Sequence, residues 1–456
     1  MILVRGSWVL TQGPAGELAD AAVAIEGGLL TAVGPFAQLR QQHPDAEVIG
    51  DGTGVVLPGF VNAHTHLSEA LATGIGSEFR LEEWGTRIIG PLGAVLTEQD
   101  AHEGTRFRAI ELLLSGVTTV NDMFVHYNPD AMASLGVVTG LTSAGLRGVV
   151  SFGAEDVGGW GDVQRMLDEH DALAAAASGL IGFRYGIGTL LGQTDALLEA
   201  GIAHAASRGW AVHTHLHETR EELAASLRRW GEHPIAHAER LGVLDLDVIA
   251  GHAVWVDEHE IATLAGRGVA VAHNPVANAI LGSGVAPVGA LRSAGIAVGI
   301  GTDGAASNDS QNMLEAVKMA ALLQKVHHLD PAVVDARDVL RMATIEGARA
   351  LGMDSDIGSL EPGKRADVVL FQGAVEVGVL HDPAGQLVYG ASSRAVSDVL
   401  VDGRRVVRDH RCVTVDEAEQ LEVVRPLVAR IARAAGFTAS GLSRAGLSRA
   451  AGPSAI

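Results

Sequence analysis

Residues 55–69, VVLPGFVNAHTHLSE, decide the reading of this chain. Val55, Val56 and Leu57 form an apolar run that Pro58-Gly59 punctuates, and a second strand-like piece, Phe60-Val61-Asn62-Ala63, ends in His64-Thr65-His66. Successive side chains of a strand alternate faces, so His64 and His66 project the same way from its end. Neutral imidazole is the commonest ligand for zinc and similar metals, and two side by side are the start of a metal site. The pair alone is weak evidence, and the rest of the chain has to strengthen it.

Upstream, residues 1–57 read as short β segments at 2–4, 8–10, 21–25 and 29–33, with Gly27-Gly28 as a hairpin signal. The opening MILVRGSWVL has no long apolar core and no small-residue cleavage site, so it reads as a strand and not a signal peptide. Downstream, apolar strands at 116–121, 147–152, 181–185, 211–217, 248–252, 269–273 and 297–302 alternate with helical runs at 97–114, 195–207, 220–230, 258–266 and 312–324. Such alternation implies βα units and a parallel sheet. With the strand ending at His66 counted in, the pattern fits an α/β fold of the (β/α)8 TIM-barrel type over residues 58–357. After Gly352 the pattern returns to β, at 358–371 and 396–401 with Asp402-Gly403 as a turn. Residues 1–57 and 358–425 are therefore expected to pair into a small β-sandwich. The last stretch, 437–456, holds a short GLSRA repeat and is expected to be mobile or loosely docked.

Composition narrows the function classes. Charged residues are 19% and hydrophobic ones 47%, a globular balance. A formal charge of −21 argues against a nucleic-acid partner, which needs a basic footprint. Cys412 is the single cysteine, so no intrachain disulfide can form. No apolar stretch reaches membrane-spanning length. A cytoplasmic enzyme with a small-molecule substrate is the expectation.

Strand ends of a barrel face the catalytic mouth. Residues 211–219, AVHTHLHET, put His213, His215 and His217 on one strand face with Glu218 at the turn that follows. His252 ends the next apolar strand, His273 the one after, and Asp303 closes the strand in GIGTDGAASND. Histidine nitrogens with one carboxylate oxygen and an open position make a hydrolytic metal site.

PGFVNAHTH, HTHLHET, AHNPVANAILGSGVAPV and GTDGAASND together resemble the amidohydrolase superfamily, in its aminohydrolase branch. The resemblance extends through GSLEPGKRADVVLF and VLVDGRRV, and is nearest to the methylthioadenosine/adenosylhomocysteine deaminases, with 8-oxoguanine deaminases and triazine hydrolases as cousins. It implies that His64, His66, His215 and Asp303 bind one divalent metal, zinc before Fe2+ or Mn2+. It implies that Glu218 shuttles protons and that His252 orients the attacking water, with Asp303 also accepting a proton. Binuclear members bridge their metals with a mid-barrel lysine. The three lysines here, Lys318, Lys325 and Lys364, all follow the last ligand strand, so a mononuclear site is expected. Relatives often form homo-oligomers, which extends that expectation to this chain.

Three positions depart from the nucleoside deaminases. Their ribose-binding carboxylate falls near Gly93, their carboxylate-clasping arginine falls on Phe152, and their purine-reading Pro-His pair is replaced within residues 186–190. A cavity walled by Trp84, Met123, Phe124, His126, Phe152, Trp160 and Trp255, with Asn278 and Ser307 nearby, is expected. A flat heterocyclic amine with few hydroxyls (an oxidised purine, a pterin or a triazine) would stack on such a wall. Displacement of chloride or an alkylamine from a triazine is the alternative reaction, a nucleoside substrate comes after it, and a non-catalytic scaffold is the last reading.

Overall fold

The structure, a computed structural model, describes residues 1–159 and 161–437. Trp160 and the tail at 438–456 lie outside the described residues, and with them one expected wall residue and the expectation about the C-terminus.

The parallel strands begin with Phe60–His66, Val117–Phe124 and Arg147–Phe152. A fourth stave is broken once, into Ile181–Phe183 and Tyr185–Thr189, and is followed by Val212–Leu216, Val248–His252 and Ala270–His273. The last stave is also broken, into Val298–Ile300 and Asp303–Gly304. Each broken stave changes partner at its break. Ile181–Phe183 pairs back onto Arg147–Phe152, while Tyr185–Thr189 pairs forward onto Val212–Leu216. Likewise Val298–Ile300 pairs with Ala270–His273, while Asp303–Gly304 pairs with Phe60–His66. Two five-stranded sheets thus share two staves and close as a (β/α)8 barrel. Closure carries a functional consequence: Asp303 lies opposite Thr65 and Gly304 opposite His66, so the last strand delivers its aspartate beside the first strand's histidines.

Helices cover the barrel where the 3.6-residue pattern places them. The run Glu98–Leu114 starts at a capping box in which Thr97 accepts from the Asp100 amide and Asp100 returns a bond to the Thr97 amide. Arg220–Trp230 and Glu258–Gly266 are bounded as the sequence indicates, each with its N-cap side chain bonded, Thr219 to Glu222 and Asp257 to Glu260.

Strands from residues 2–58 and from residues 368–412 share one nine-stranded sheet. Val368–Phe371 runs antiparallel to Val55–Pro58, directly before the chain enters the first barrel strand. Val4, Val23, Ile25 and Leu30 from the N-terminal strands share an apolar cluster with Val368, Leu370 and Leu400 from the C-terminal ones. The sheet therefore folds over its own interior, as a small sandwich does. Arg147 at the foot of the third barrel strand holds Asp367 through two bonds, of 3.1 and 3.0 Å, tying the sandwich to the barrel. One stretch differs from the sequence reading. Residues 417–425, expected within the sandwich, begin the helix Glu417–Ala434, capped by Asp416. Its buried Val424 and Ile431 are seven residues apart and so share one helix face, and Gln420 bonds the Glu103 carbonyl on the helix Glu98–Leu114. No described helix is long and apolar enough to cross a membrane.

Candidate metal centre and active site

At the C-terminal mouth of the barrel the imidazoles of His64, His66 and His215 converge, and the Asp303 carboxylate joins them. His66 Nε2 lies 3.1 Å from His215 Nε2 and 3.3 Å from Asp303 Oδ1, and His64 Nε2 lies 3.5 Å from that same oxygen. The hydrogen bonds behind these rings fix which nitrogens carry protons. His66 Nδ1 donates to the Met123 carbonyl at 2.7 Å, and His215 Nδ1 to the Gly188 carbonyl at 2.5 Å. A carbonyl can only accept, so in the neutral rings both Nε2 atoms are bare lone pairs.

His64 is set by a longer relay. Ser151 Oγ–H donates to the Asp122 carbonyl, which leaves Oγ to accept from His213 Nδ1 at 3.1 Å. His213 Nε2 then accepts from His64 Nδ1 at 2.7 Å. His64 Nε2 is left facing the centre, buried and without a hydrogen-bond partner. Burial holds His64 down to about 4, and also depresses His66 and His215, so all three rings stay neutral near pH 7. Three lone pairs and a carboxylate aimed at one point repel one another unless a cation lies between them. The donor set fits a divalent metal with three nitrogen ligands and one oxygen ligand.

Asp303 is held in strained backbone. Its φ is 64°, in the left-handed region that non-glycine residues seldom adopt, and His252 shares this at 73°. Glu69 secures the loop after Asp303 by accepting from the amides of Ala306 and Ser307, at 2.9 and 3.0 Å. Gly304 is what makes room for it: a Cβ there would come within 1.9 Å of the Glu69 carboxylate. Burial works against ionisation of Asp303, but the hydrogen-bonding contact with His64 and the facing imidazole of His252 hold its carboxyl well below the ordinary range.

Glu218 and His252 face each other across the mouth. His252 Nε2 is 3.4 Å from Glu218 Oε2 and 3.8 Å from Asp303 Oδ2, and His252 Nδ1 donates to Asn278 Oδ1 at 2.8 Å. Burial pulls the His252 imidazole down, yet the flanking carboxylates of Glu218 and Asp303 outweigh it and raise its pKa. Burial raises Glu218, opposed by His252, and Ser283 Oγ donates to its Oε1 at 2.9 Å. The backbone carrying Glu218 is braced by Glu222, which accepts from the amides of Glu218 and His217 at 2.7 and 3.2 Å.

Above these groups opens a cavity of about 330 Å3. Of the wall residues expected from sequence, Trp84 and Ser307 line it. Asn278 sits one layer back, behind His252. Phe124, His126, Phe152 and Trp255 are not part of the lining, and the strand pleat explains the first and third of these. Phe124 and Phe152 stand in register across adjacent strands, so they share a face, and Phe152 packs 5.3 Å from His170 on the helix Val163–Ala176, outside the barrel. His126 is drawn to buried Glu169, at 2.8 Å. Trp255 spends its indole N–H on the Ser283 carbonyl, and the Arg220 guanidinium stacks on its ring. Met123 is buried and contributes its carbonyl to His66. His217 turns away at φ 55° to bond the Trp255 carbonyl, and His273 is buried with both ring nitrogens unpartnered.

The wall is instead amphipathic. Leu81, Trp84, Ile89, Leu191 and Leu281 supply apolar surface, while Glu69, Glu82, Glu155, Glu218, Glu221, Glu222 and Asp303 supply carboxyl groups. No lysine or arginine stands among the described lining residues. Tyr127, a lining residue absent from the sequence reading, packs its ring against Gly93, where a Cβ would lie 2.7 Å from it. Glu69 was visible within the opening HTHLSE stretch but had no chemical pattern to mark it. Glu222 completes a Thr-x-x-Glu capping signature with Thr219 and could have been found that way. Glu155 had no local signal.

The amidohydrolase family model matches residues 55–406 of the chain, and a model of the bacterial imidazolonepropionase-like composite domain matches residues 21–46. A 5-methylthioadenosine/S-adenosylhomocysteine deaminase of Desulforudis audaxviator is 38% identical over 442 residues, covering 94% of this chain and 99% of the relative. An adenosine deaminase of Xanthomonas campestris, solved with bound zinc, superposes with a TM-score of 0.86 at 32% identity, covering 95% of this chain and 98% of the other. Atrazine chlorohydrolase from Arthrobacter aurescens TC1, solved in complex with zinc, has the same TM-score at 28% identity, covering 94% and 100%. The family match spans the barrel and the sandwich strands Val55–Pro58, Val368–Phe371 and Val396–Val401, and on that ground the chain belongs to the amidohydrolase family, a hydrolase acting on C–N bonds.

Proposed function

We propose that this protein hydrolytically removes the exocyclic amino group of an adenine nucleoside, using one zinc ion held by His64, His66, His215 and Asp303. The observation that carries the reading is the placement of Glu218. Its carboxyl lines the cavity, contacts His252 at 3.4 Å and is separated from the metal centre by that one imidazole. The nucleoside assignment draws on the relatives named for methylthioadenosine and adenosine, and on the wall. Carboxylates such as Glu82 and Glu155 can accept from sugar hydroxyls, which the apolar wall expected from sequence could not do.

Zinc bound there supplies Lewis acidity, which makes water a nucleophile at neutral pH. The chain's own groups move the protons. Asp303 accepts a proton from the attacking water. Glu218, its pKa raised by burial, donates from its carboxyl to the ring nitrogen beside the amino-bearing carbon, and then passes a proton to the departing nitrogen. His252, its pKa raised by the flanking carboxylates and its ring anchored by Asn278, holds the water and the oxygen that becomes bonded to carbon. The balance closes: water's oxygen bonds to carbon and the C–N bond breaks. The proton that Glu218 gives to the ring nitrogen stays there and is replaced by the one Asp303 took from water. The second water proton, taken up by ionised Glu218 from the carbon-bound hydroxyl, leaves with ammonia. The same residues would serve a different leaving group, so zinc-loaded protein should be assayed for ammonia from adenosine, methylthioadenosine and an aminotriazine, and for chloride from a chlorotriazine. Ammonia from the nucleosides with kcat/KM near ~10⁴ M⁻¹s⁻¹ or more supports the reading. Chloride release with the nucleosides untouched would replace it.

A further inference from the structure

Glu155 lies three residues beyond the strand Arg147–Phe152, lines the cavity and has no part in the proton transfers above. It is held in a seat built for it. Tyr127 OH donates to Oε2 at 2.8 Å, and Thr189 Oγ1 donates to Oε1 at 2.9 Å. Thr189 Oγ1 is itself fixed by the Gly192 amide, at 2.9 Å. Two glycines leave the space: a Cβ on Gly188 would lie 2.7 Å from the Glu155 Cγ, and one on Gly192 would lie 2.2 Å from its Oε1. Gly188 also accepts from His215 Nδ1, so one peptide unit separates the Glu155 seat from a histidine of the metal centre.

A carboxylate has about four lone-pair sites. Two hydroxyls occupy two, which leaves acceptor capacity for a ligand in the cavity. Burial raises the Glu155 carboxyl, and the bonds from Tyr127 and Thr189 oppose that shift. The surrounding wall is acidic and has no described lysine or arginine, and its His252 already faces the carboxylates of Glu218 and Asp303, so a negative group placed here meets no free counter-charge.

We propose that Glu155, seated by Tyr127 and Thr189, is the specificity-determining residue of the cavity: it accepts from a hydroxyl or ammonium group on the part of the substrate remote from the amine, and it excludes substrates that carry a carboxylate or phosphate there. This rests on the nucleoside reading and narrows it to neutral or cationic nucleosides.

Three ligands of one scaffold test it: 5′-amino-5′-deoxyadenosine, 5′-deoxyadenosine and adenosine-5′-carboxylic acid, titrated calorimetrically into zinc-loaded Glu218→Gln protein. The amine should bind tightest, and the carboxylate should bind weakest by at least about tenfold. Adding Glu155→Gln should compress that order, and Thr189→Val, which keeps the carboxylate but removes one of its donors, should compress it in part. Equal binding of the three ligands, or an order that Glu155→Gln leaves intact, overturns the proposal. Ammonia release by the wild-type enzyme is followed in parallel. The charge order without turnover would overturn the deaminase reading and support the role of Glu155, turnover without the charge order would overturn the role of Glu155 alone, and binding of none of the three would overturn both.

Discussion

His64 Nδ1 and His213 Nε2 lie 2.7 Å apart, and that contact decides which nitrogen of His64 faces the metal centre. Ser151 and the Asp122 carbonyl fix the proton on His213 Nδ1, so His213 can only accept from His64. Removing that acceptor in His213→Ala should free the His64 ring and weaken zinc binding by about 10–100-fold, the usual cost of losing such a supporting partner. Competition with a chromogenic chelator measures this directly, and an unchanged zinc affinity would show the relay to be incidental.

Metal removal should destabilise the whole barrel mouth. Zinc bound to the folded chain and absent from the unfolded one adds roughly 4 kcal/mol at a thousandfold excess over its Kd. Dialysis against a chelator should lower Tm and abolish turnover, and stoichiometric zinc should restore both. Gly304→Ala should mimic the loss, because its Cβ collides with the Glu69 carboxylate that anchors the Asp303 loop. Zinc content of that variant, measured by mass spectrometry, should fall well below one per chain.

Asn278 acts through His252. Its Oδ1 accepts from His252 Nδ1 at 2.8 Å and so aims Nε2 at Glu218 and Asp303. Asn278→Ala should lower kcat by about 10–100-fold while zinc content is retained. A loss of zinc in step with activity would mean that Asn278 supports the metal shell instead.

Behind the cavity, Glu169 receives His126 Nε2 at 2.8 Å and Ser134 Oγ at 2.6 Å, with Arg165 Nη1 at 3.3 Å. Burial raises its pKa, but these bonds and the Arg165 charge prevail and lower it below its usual 4.5. A depressed carboxyl contributes stability that is fully present above that ordinary value and is lost as pH falls through the folded value. Glu169→Gln should therefore destabilise by on the order of 3 kcal/mol near neutral pH. The Tm gap between wild type and variant should narrow as the pH drops below about 4.5, and a gap that is flat with pH would show that the ionised form of Glu169 is not what matters.

The fold and the metal-facing residues were legible because both rest on local pattern. Alternating apolar strands and amphipathic helices gave the barrel, and histidines two apart at strand ends marked His64, His66 and the set His213, His215 and His217. Of that set the family resemblance singled out His215, whose ring converges with the first two. Apart from Trp84, Ser307 and the strand-borne metal-centre residues, the cavity wall was not legible, because most of it comes from loops and helices after the strand ends, where the period-2 rule no longer applies. Phe124 and Phe152 are apolar and sit at strand ends, yet their parity sends them to the helices. Glu155 and Tyr127 reach the cavity through loops whose course depends on Gly188, Gly192 and Gly93, far away in sequence. The sandwich strands were evident, but the helix Glu417–Ala434 was masked by the β reading of the residues before it.

The most direct measurement is the turnover of adenosine or methylthioadenosine by wild type and by Glu218→Gln at equal zinc occupancy. With Glu218 as the proton carrier, the variant should hold one zinc per chain and the same Tm, while kcat falls by about 10²–10⁴. A variant that keeps wild-type kcat, or a wild type that releases no ammonia from either nucleoside, would contradict the account.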